Sequence, residues 1–242
     1  MEYIVHSEFF SENMFPVFEF KPKSGSIGNL LFLHGAGKAD GRRMFPICHE
    51  LVQKGFRCVS FDIVGHGESS RAIENTTLRD RFEQTQFVFE KYFQESISGV
   101  ISFSMSGQAA VELASRHAKI PRLVLCAPAM YSARAYDVNF GEDFSSIIRE
   151  PSSWKDSPIL SNLETIKADR LVVVGENDSV IPREITDNYG LTTIGSGRSY
   201  RVTLKNEGHM LSGRTNEDAA FASYLSRIIE DFILSYKSAD AL

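Results

Sequence analysis

Cysteine is scarce in this chain: only Cys48, Cys58 and Cys126 occur among 242 residues, an odd number with no Cys-x-x-Cys pair. Neither a disulfide framework nor a thiolate zinc site is therefore expected. Cys58 and Cys126 sit in apolar runs and read as small buried hydrophobes. No stretch of about 18 apolar residues exists, so no membrane span is expected. The N-terminus lacks a basic segment followed by an apolar one, so no signal peptide is read and the expected location is cytoplasmic. Positive charge is also in short supply. The formal net charge is −5, whereas a chain built to hold nucleic acid is usually basic. No His-x-x-x-His or His-Glu-x-x-His spacing is present, so no metal is expected. After the first parallel run, Gly35-Ala36-Gly37 gives a Gly-x-Gly that runs into Lys38-Ala39-Asp40 without the third glycine of a dinucleotide fingerprint. There is no internal repeat and no low-complexity tract.

What is present is an ordinary globular composition, 43% hydrophobic and 24% charged, in a chain long enough to bury a sizeable core. Residues 1–21 are rich in Phe, Val, Ile and Tyr and break at Ser11-Glu12-Asn13, which predicts two paired strands ending at the turn cluster 21–26. Short apolar runs follow at Leu30–Leu33, Phe56–Phe61, Val100–Phe103, Leu123–Leu125, Leu171–Val174 and Tyr200–Leu204. Most are apolar almost throughout, as expected of strands covered on both faces of a parallel sheet. Tyr200–Leu204 alternates more and reads as lying near an edge. Helical patterns lie between the runs. Thr77–Phe93 carries Thr77 and Asp80 at capping-box spacing, and the last helix has a stripe of Phe221, Tyr224, Leu225, Ile228, Ile229 and Phe232. The order predicts an α/β fold: a mostly parallel sheet with an N-terminal antiparallel hairpin and helices on both faces. Ligands then bind beyond the carboxyl ends of the strands.

One such end carries Ser102-Phe103-Ser104-Met105-Ser106-Gly107, between the run Val100–Phe103 and a helical pattern from Gln108 to His117. A serine on a tight strand-to-helix turn is lifted above the sheet, but the turn needs small residues two before and two after it. Val100 would flank Ser102, and Gln108 would flank Ser106. Only Ser104 has small neighbours on both sides. The alternative is a serine-rich turn that merely caps a helix.

At these residues the chain resembles the serine α/β-hydrolase superfamily, including carboxylesterases and monoacylglycerol lipases, over nearly its whole length. The family elbow is usually Gly-x-Ser-x-Gly-Gly; here serine stands at both outer glycine positions and Gly107 is kept. Leu31-Phe32-Leu33-His34-Gly35-Ala36-Gly37 resembles the family's strand and His-Gly oxyanion loop. The resemblance implies that the backbone N–H groups of Ala36 and Met105 would receive a developing oxyanion. Asp62-Ile63-Val64-Gly65-His66-Gly67-Glu68-Ser69 resembles the family's Asp-x-x-Gly-His-Gly-x-Ser segment, which makes His66 scaffold rather than catalyst. Gly175-Glu176-Asn177-Asp178-Ser179-Val180-Ile181-Pro182 resembles the late acid loop. There Asp178 is the expected acid and Glu176 its rival. Gly208-His209-Met210, before the last helix, supplies the expected base, His209. The order Ser, acid, His is the one this fold uses.

The resemblance implies one α/β-hydrolase domain over 1–242 with a small lid at about 131–158. It implies a serine hydrolase cleaving a carboxylic ester through an acyl-enzyme, with no cofactor or metal and a small acyl substrate as partner. The alternatives are an acyl-thioesterase acting on an acyl carrier and a non-catalytic binding protein of the same fold. Met130, Tyr131, Tyr136, Phe140, Phe144, Ile147, Ile148 and Trp154 in or beside the lid could either line an acyl pocket or seal the core edge. Basic residues near it, such as Arg134, could meet an anionic carrier.

Overall fold

The computed structural model describes residues 2–190 and 196–235. The expected domain runs over 1–242, so its residues 1, 191–195 and 236–242 lie outside the described ones. Strands β1 (Ile4–Phe10) and β2 (Asn13–Phe20) form the expected hairpin. Ser11 and Glu12 close it, both left-handed with φ of 47° and 60°. Two left-handed residues give a connection whose twist matches that of the strands, here without the usual glycine. The remaining strands are β3 (Gly28–Leu33), β4 (Phe56–Phe61), β5 (Gly99–Phe103), β6 (Arg122–Cys126), β7 (Asp169–Gly175) and β8 (Ser199–Leu204).

The eight strands form one sheet in the order β1-β2-β4-β3-β5-β6-β7-β8. β2 meets β4 antiparallel, and every pairing from β4 to β8 is parallel. β5 and β6 are buried at every position, Ser102 and Arg122 included, as expected of strands covered on both faces. β8, the alternating run, lies at the sheet edge and is mostly exposed or half-buried.

Side chains alternate between the two faces along each strand. Leu31, Leu33, Val100, Leu123, Leu125 and Val172 face one core, shared with α2 (Leu78–Tyr92) and α3 (Ser106–Arg116). Leu30, Phe32, Ile101, Val124, Leu171 and Val173 face the other, shared with α1 (Phe45–Gln53) and the last helix, Ala219–Leu234. The α2 capping box forms as expected: the Asp80 N–H donates to Thr77 Oγ1 at 3.1 Å, and the Thr77 N–H donates to Asp80 Oδ2 at 2.9 Å. One detail of the last stripe differs. Phe221, Leu225, Ile229 and Phe232 are buried, but Tyr224 is 54% exposed. It lies at the margin of the apolar arc, where an amphipathic phenol tolerates solvent.

Between β6 and β7 the chain makes short 3-10 turns at Ala133–Ala135 and Ser153–Asp156, with α4 (Glu142–Arg149) between them and α5 (Ile159–Thr165) after. After β7 come α6 (Arg183–Tyr189), then β8 and α7 (Leu211–Glu217), and α8 is the last helix. The strand order reverses at β3, which has β4 on one side and β5 on the other. The crevice beyond the ends of β3 and β5 is therefore the place for a ligand.

Candidate active site

β5 delivers Ser104 into that crevice. Its backbone is left-handed, φ 49°, a conformation that costs a non-glycine residue on the order of 1 kcal/mol or more. The surroundings hold it there. The Ser104 N–H donates to the Cys126 carbonyl at 2.9 Å, and the Ser104 carbonyl accepts from Gly107 at 2.9 Å and Ala129 at 3.0 Å. Close packing at the turn explains the small residues around it. A Cβ on Gly107 would lie 2.6 Å from Pro128 Cβ, and Ser102 and Ser106 are both buried.

The two late loops arrive next to Ser104 because β7 and β8 are neighbours and their ends are tied together. Asn177 and Glu176 donate backbone N–H groups to the carbonyls of Glu207 and Leu204, at 2.8 and 2.9 Å. A Cβ on Gly175 would come within 2.4 Å of the Glu207 and Gly208 carbonyl oxygens, so only glycine lets the loops approach this closely. His209 Nε2 lies 3.0 Å from Ser104 Oγ, and His209 Nδ1 lies 2.9 Å from Asp178 Oδ2. The other Asp178 oxygen accepts from the N–H groups of Val180 and Ile181 at 2.9 and 3.0 Å. Glu176 is turned away: its Oε2 accepts from the Asn206 N–H at 2.9 Å. Of the two acids the sequence offers, only Asp178 touches the imidazole. Its carboxylate holds the proton on Nδ1 and leaves the Nε2 lone pair facing the serine hydroxyl.

The loop after β3 closes the other side. Gly35 and Ala36 line the same cavity as Ser104 and His209. A Cβ on Gly35 would lie 3.3 Å from Ser104 Cβ, so loop and elbow are in close contact. Neither the Ala36 nor the Met105 N–H donates to any other described residue. His34, at the root of this loop, is fully buried. Its Nε2 accepts from the Ile63 N–H at 3.0 Å, so the proton sits on Nδ1, which donates to the Gly35 carbonyl at 2.7 Å. A neutral ring is required, and burial, followed by the nearby Arg81 charge, holds its pKa well below the usual histidine value.

Arg81 was invisible as a site residue in the sequence, where it reads as an ordinary helix cation. In the fold it is 2% exposed, has no carboxylate partner among the described residues, and inserts from α2 between loop and elbow. Its Nη2 donates to the His34 carbonyl at 3.3 Å and to Ser106 Oγ at 3.0 Å, and Nη1 lies 3.3 Å from His66 Nδ1. His66 is thus a buried neighbour of the loop and does not touch Ser104. The Asp62 segment is scaffold as well: its carboxylate accepts from the Gly41 and Glu68 N–H groups at 2.8 and 2.6 Å.

The cavity above Ser104 holds about 960 Å³, ample for a small organic ligand. Of the eight apolar residues named in or beside segment 131–158, Met130, Tyr131, Ile148 and Trp154 line it, together with the polar stretch Arg149 to Ser153. Phe140, Phe144, Tyr136 and Ile147 instead pack in a separate apolar cluster under α4. Tyr131 and Ile148 belong to both groups, lining the cavity and packing against this cluster. Arg134 does not line the cavity; it is paired with Glu150. No group of three His, Cys, Asp or Glu side chains among the described residues is placed to hold a metal. No helix among them is long and apolar enough to cross a membrane.

The family model for the alpha/beta hydrolase fold matches residues 28–165, more than half of the chain, and the chain belongs to that family. Among solved structures it is similar to a thioesterase domain from the curacin biosynthetic pathway, at 18% identity and a TM-score of 0.70, covering 93% of this chain and 99% of that one. It is also similar to Est1E from Butyrivibrio proteoclasticus with ferulic acid bound, at 17% identity and a TM-score of 0.68, covering 96% and 99%. Alpha/beta hydrolase domain-containing protein 10 from mouse aligns at 14% identity and a TM-score of 0.71, covering 96% and 99%. No curated protein matches the sequence.

Proposed function

We propose that this protein is a serine hydrolase that cleaves a carboxylic ester, with Ser104 as nucleophile, His209 as base and Asp178 as the acid that orients it. The observation that carries the reading is the unbroken chain Ser104 Oγ to His209 Nε2 at 3.0 Å and His209 Nδ1 to Asp178 Oδ2 at 2.9 Å, opening on a largely apolar cavity. His209 takes the hydroxyl proton as Ser104 Oγ bonds to the ester carbonyl carbon, and the carbonyl electron pair moves onto oxygen. The Ala36 and Met105 N–H groups receive that oxyanion, a contribution worth roughly 100- to 1,000-fold in rate per donor. Collapse expels the leaving group, which takes the proton from His209 Nε2. Water then attacks the acyl-enzyme, with His209 again as base. Segment 131–158 acts as a lid over the acyl side of the cavity, in a single domain.

Thioester cleavage needs the same three residues, and the named neighbours include both an esterase and a thioesterase domain. The experiment that tests the reading is labelling by a fluorophosphonate. The parent should label at Ser104 and hydrolyse short p-nitrophenyl esters, and Ser104→Ala should do neither. A parent that fails to label would make the fold a binding module.

A further inference from the structure

The cavity is two-sided. Tyr131, Ile148, Trp154, Ile181 and Ile185 make one side apolar, with Arg149 and Glu150 beside Ile148, while Lys38 and Arg43 bring cationic side chains to the other. Among the described residues neither cation has a carboxylate within ion-pair distance. The acids that could neutralise them are committed elsewhere. Asp40 Oδ1 caps the short helical turn by accepting from the Arg43 backbone N–H at 3.0 Å, and Glu150, on the far rim, is held by Arg134. This occurs in a chain whose net charge is −5, so the cationic wall is not part of a generally basic surface. Cations left without partners beside an apolar cleft attract and orient an anion.

The position of Arg43 tells which half of a substrate it meets. Its Nη2 lies 3.5 Å from the Lys38 carbonyl oxygen. Its Nη1 lies 3.1 Å from where a Cβ on Gly213 would stand, a point 3.7 Å from Met210 Cβ. The guanidinium therefore rests against the chain immediately following His209. In acyl transfer the imidazole hands its proton to the leaving group, so groups on the His209 side meet the departing alcohol or thiol, while the apolar side meets the acyl chain.

Resting on the serine-hydrolase reading, we propose that Lys38 and Arg43 form a subsite for an anionic group on the leaving half of the substrate. The preferred substrates are then acyl esters or thioesters whose alcohol or thiol carries a carboxylate or a phosphate. Both anions offer oxygen acceptors to a guanidinium and an ammonium, Arg in a fork and Lys as a point charge.

The test uses the full chain and four butyryl or glutaryl esters, each rate divided by the spontaneous hydrolysis of the same ester. Three are butyryl esters: of 3-hydroxybenzoate, of its uncharged methyl ester, and of 3-hydroxyphenyl phosphate. The fourth, the p-nitrophenyl monoester of glutaric acid, places the anion on the acyl side. The expected result is a kcat/KM for the anionic leaving groups about tenfold above that of the methyl ester, or more. That ratio should fall towards one in Lys38→Gln/Arg43→Gln and at about 0.5 M salt. Arg43→Lys should keep part of it, and Lys38→Gln alone, an exposed change that leaves packing untouched, should lower it. The carboxylate and phosphate arms show which anion is favoured. A parent ratio near one, a ratio unchanged in the double variant, or a preference only for the glutaryl ester would overturn the subsite. Loss of all ester hydrolysis and of Ser104 labelling in the parent would instead bring down the hydrolase reading beneath it.

Discussion

The Ser106 hydroxyl donates to the His34 carbonyl at 2.5 Å, joining the first turn of α3 to the root of the loop after β3. Ser106 stands where the family pattern has glycine, so the departure has a structural use: it adds a cross-link between elbow and loop that glycine cannot make. The same hydroxyl accepts from Arg81 at 3.0 Å, so three segments distant in sequence meet at one buried point. Ser106→Gly should therefore fold but hold the loop less firmly. We expect a kcat on short esters about three- to thirtyfold lower and stability reduced by about 1 kcal/mol, read by steady-state kinetics and urea unfolding. An unchanged kcat would show that the cross-link does not serve the site.

Arg81 is a positioning residue, because it reaches the site through the His34 carbonyl and Ser106. Its replacement leaves no orphaned counter-ion among the described residues, so the loss should lie more in rate than in stability. Arg81→Met should lower kcat about tenfold with KM little changed, and Arg81→Lys should recover part of that loss. Equal falls in both variants, or a change confined to KM, would contradict the role.

The two candidate acids separate cleanly by contact. Asp178 touches the imidazole and Glu176 touches the Asn206 N–H. Asp178→Asn should cost about 10³- to 10⁴-fold in kcat by favouring the wrong tautomer, while Glu176→Gln should stay within about threefold. Comparable losses in the two variants would mean that the acid has been misassigned.

Ser102 illustrates the opposite outcome from Ser106 at the matching position before the nucleophile. It is fully buried and its hydroxyl has no partner among the described residues. Ser102→Ala removes an unsatisfied polar atom at almost constant volume, so it should raise stability by up to about 1 kcal/mol and leave the melting transition cooperative. A destabilised variant would imply a hydrogen bond at this hydroxyl.

Acid should weaken the fold through the buried histidines. Burial first, then the Arg81 charge, pushes the His66 pKa down from 6.5 to about 4. Above pH 6.5 the ring is neutral whether the chain is folded or not, and nothing is lost. Between pH 6.5 and about 4 the unfolded chain binds a proton that the folded chain refuses, so stability falls as pH falls. The His66 share of that fall is on the order of 3 kcal/mol and ends near the folded pKa. His34 acts in the same direction, its pKa lowered by burial and by Arg81. Urea midpoints at pH 7, 5.5 and 4.5 should decline, and His66→Gln should flatten the decline. An identical slope in that variant would remove His66 as the cause.

The strands, the edge position of β8, the α2 capping box and the Ser11-Glu12 hairpin were legible because they are local. Unbroken apolar runs, a capping spacing of three and a break between two alternating segments each express one short-range rule of burial or turn geometry. The residues that meet at the site were legible for a different reason. The family resemblance marked Ser104, Asp178 and His209, and each follows a strand of a sheet whose parallel strands all present their carboxyl ends on one side. Tyr224 was misjudged because a helical stripe has no sharp margin in sequence.

The order of apolar runs and turns thus determined by itself that a parallel sheet would form and that its chemistry-bearing loops would share one end. Only the tertiary structure decided which carboxylate faces the imidazole, that Arg81 takes a buried post between loop and elbow, and that Lys38 and Arg43 stand beside the cavity with no ion-pair partner among the described residues. Those outcomes depend on distances between segments that no local pattern encodes. A charged side chain looks the same in sequence whether water, a carboxylate or a carbonyl surrounds it, and its energy is set by whichever neighbour the packing supplies.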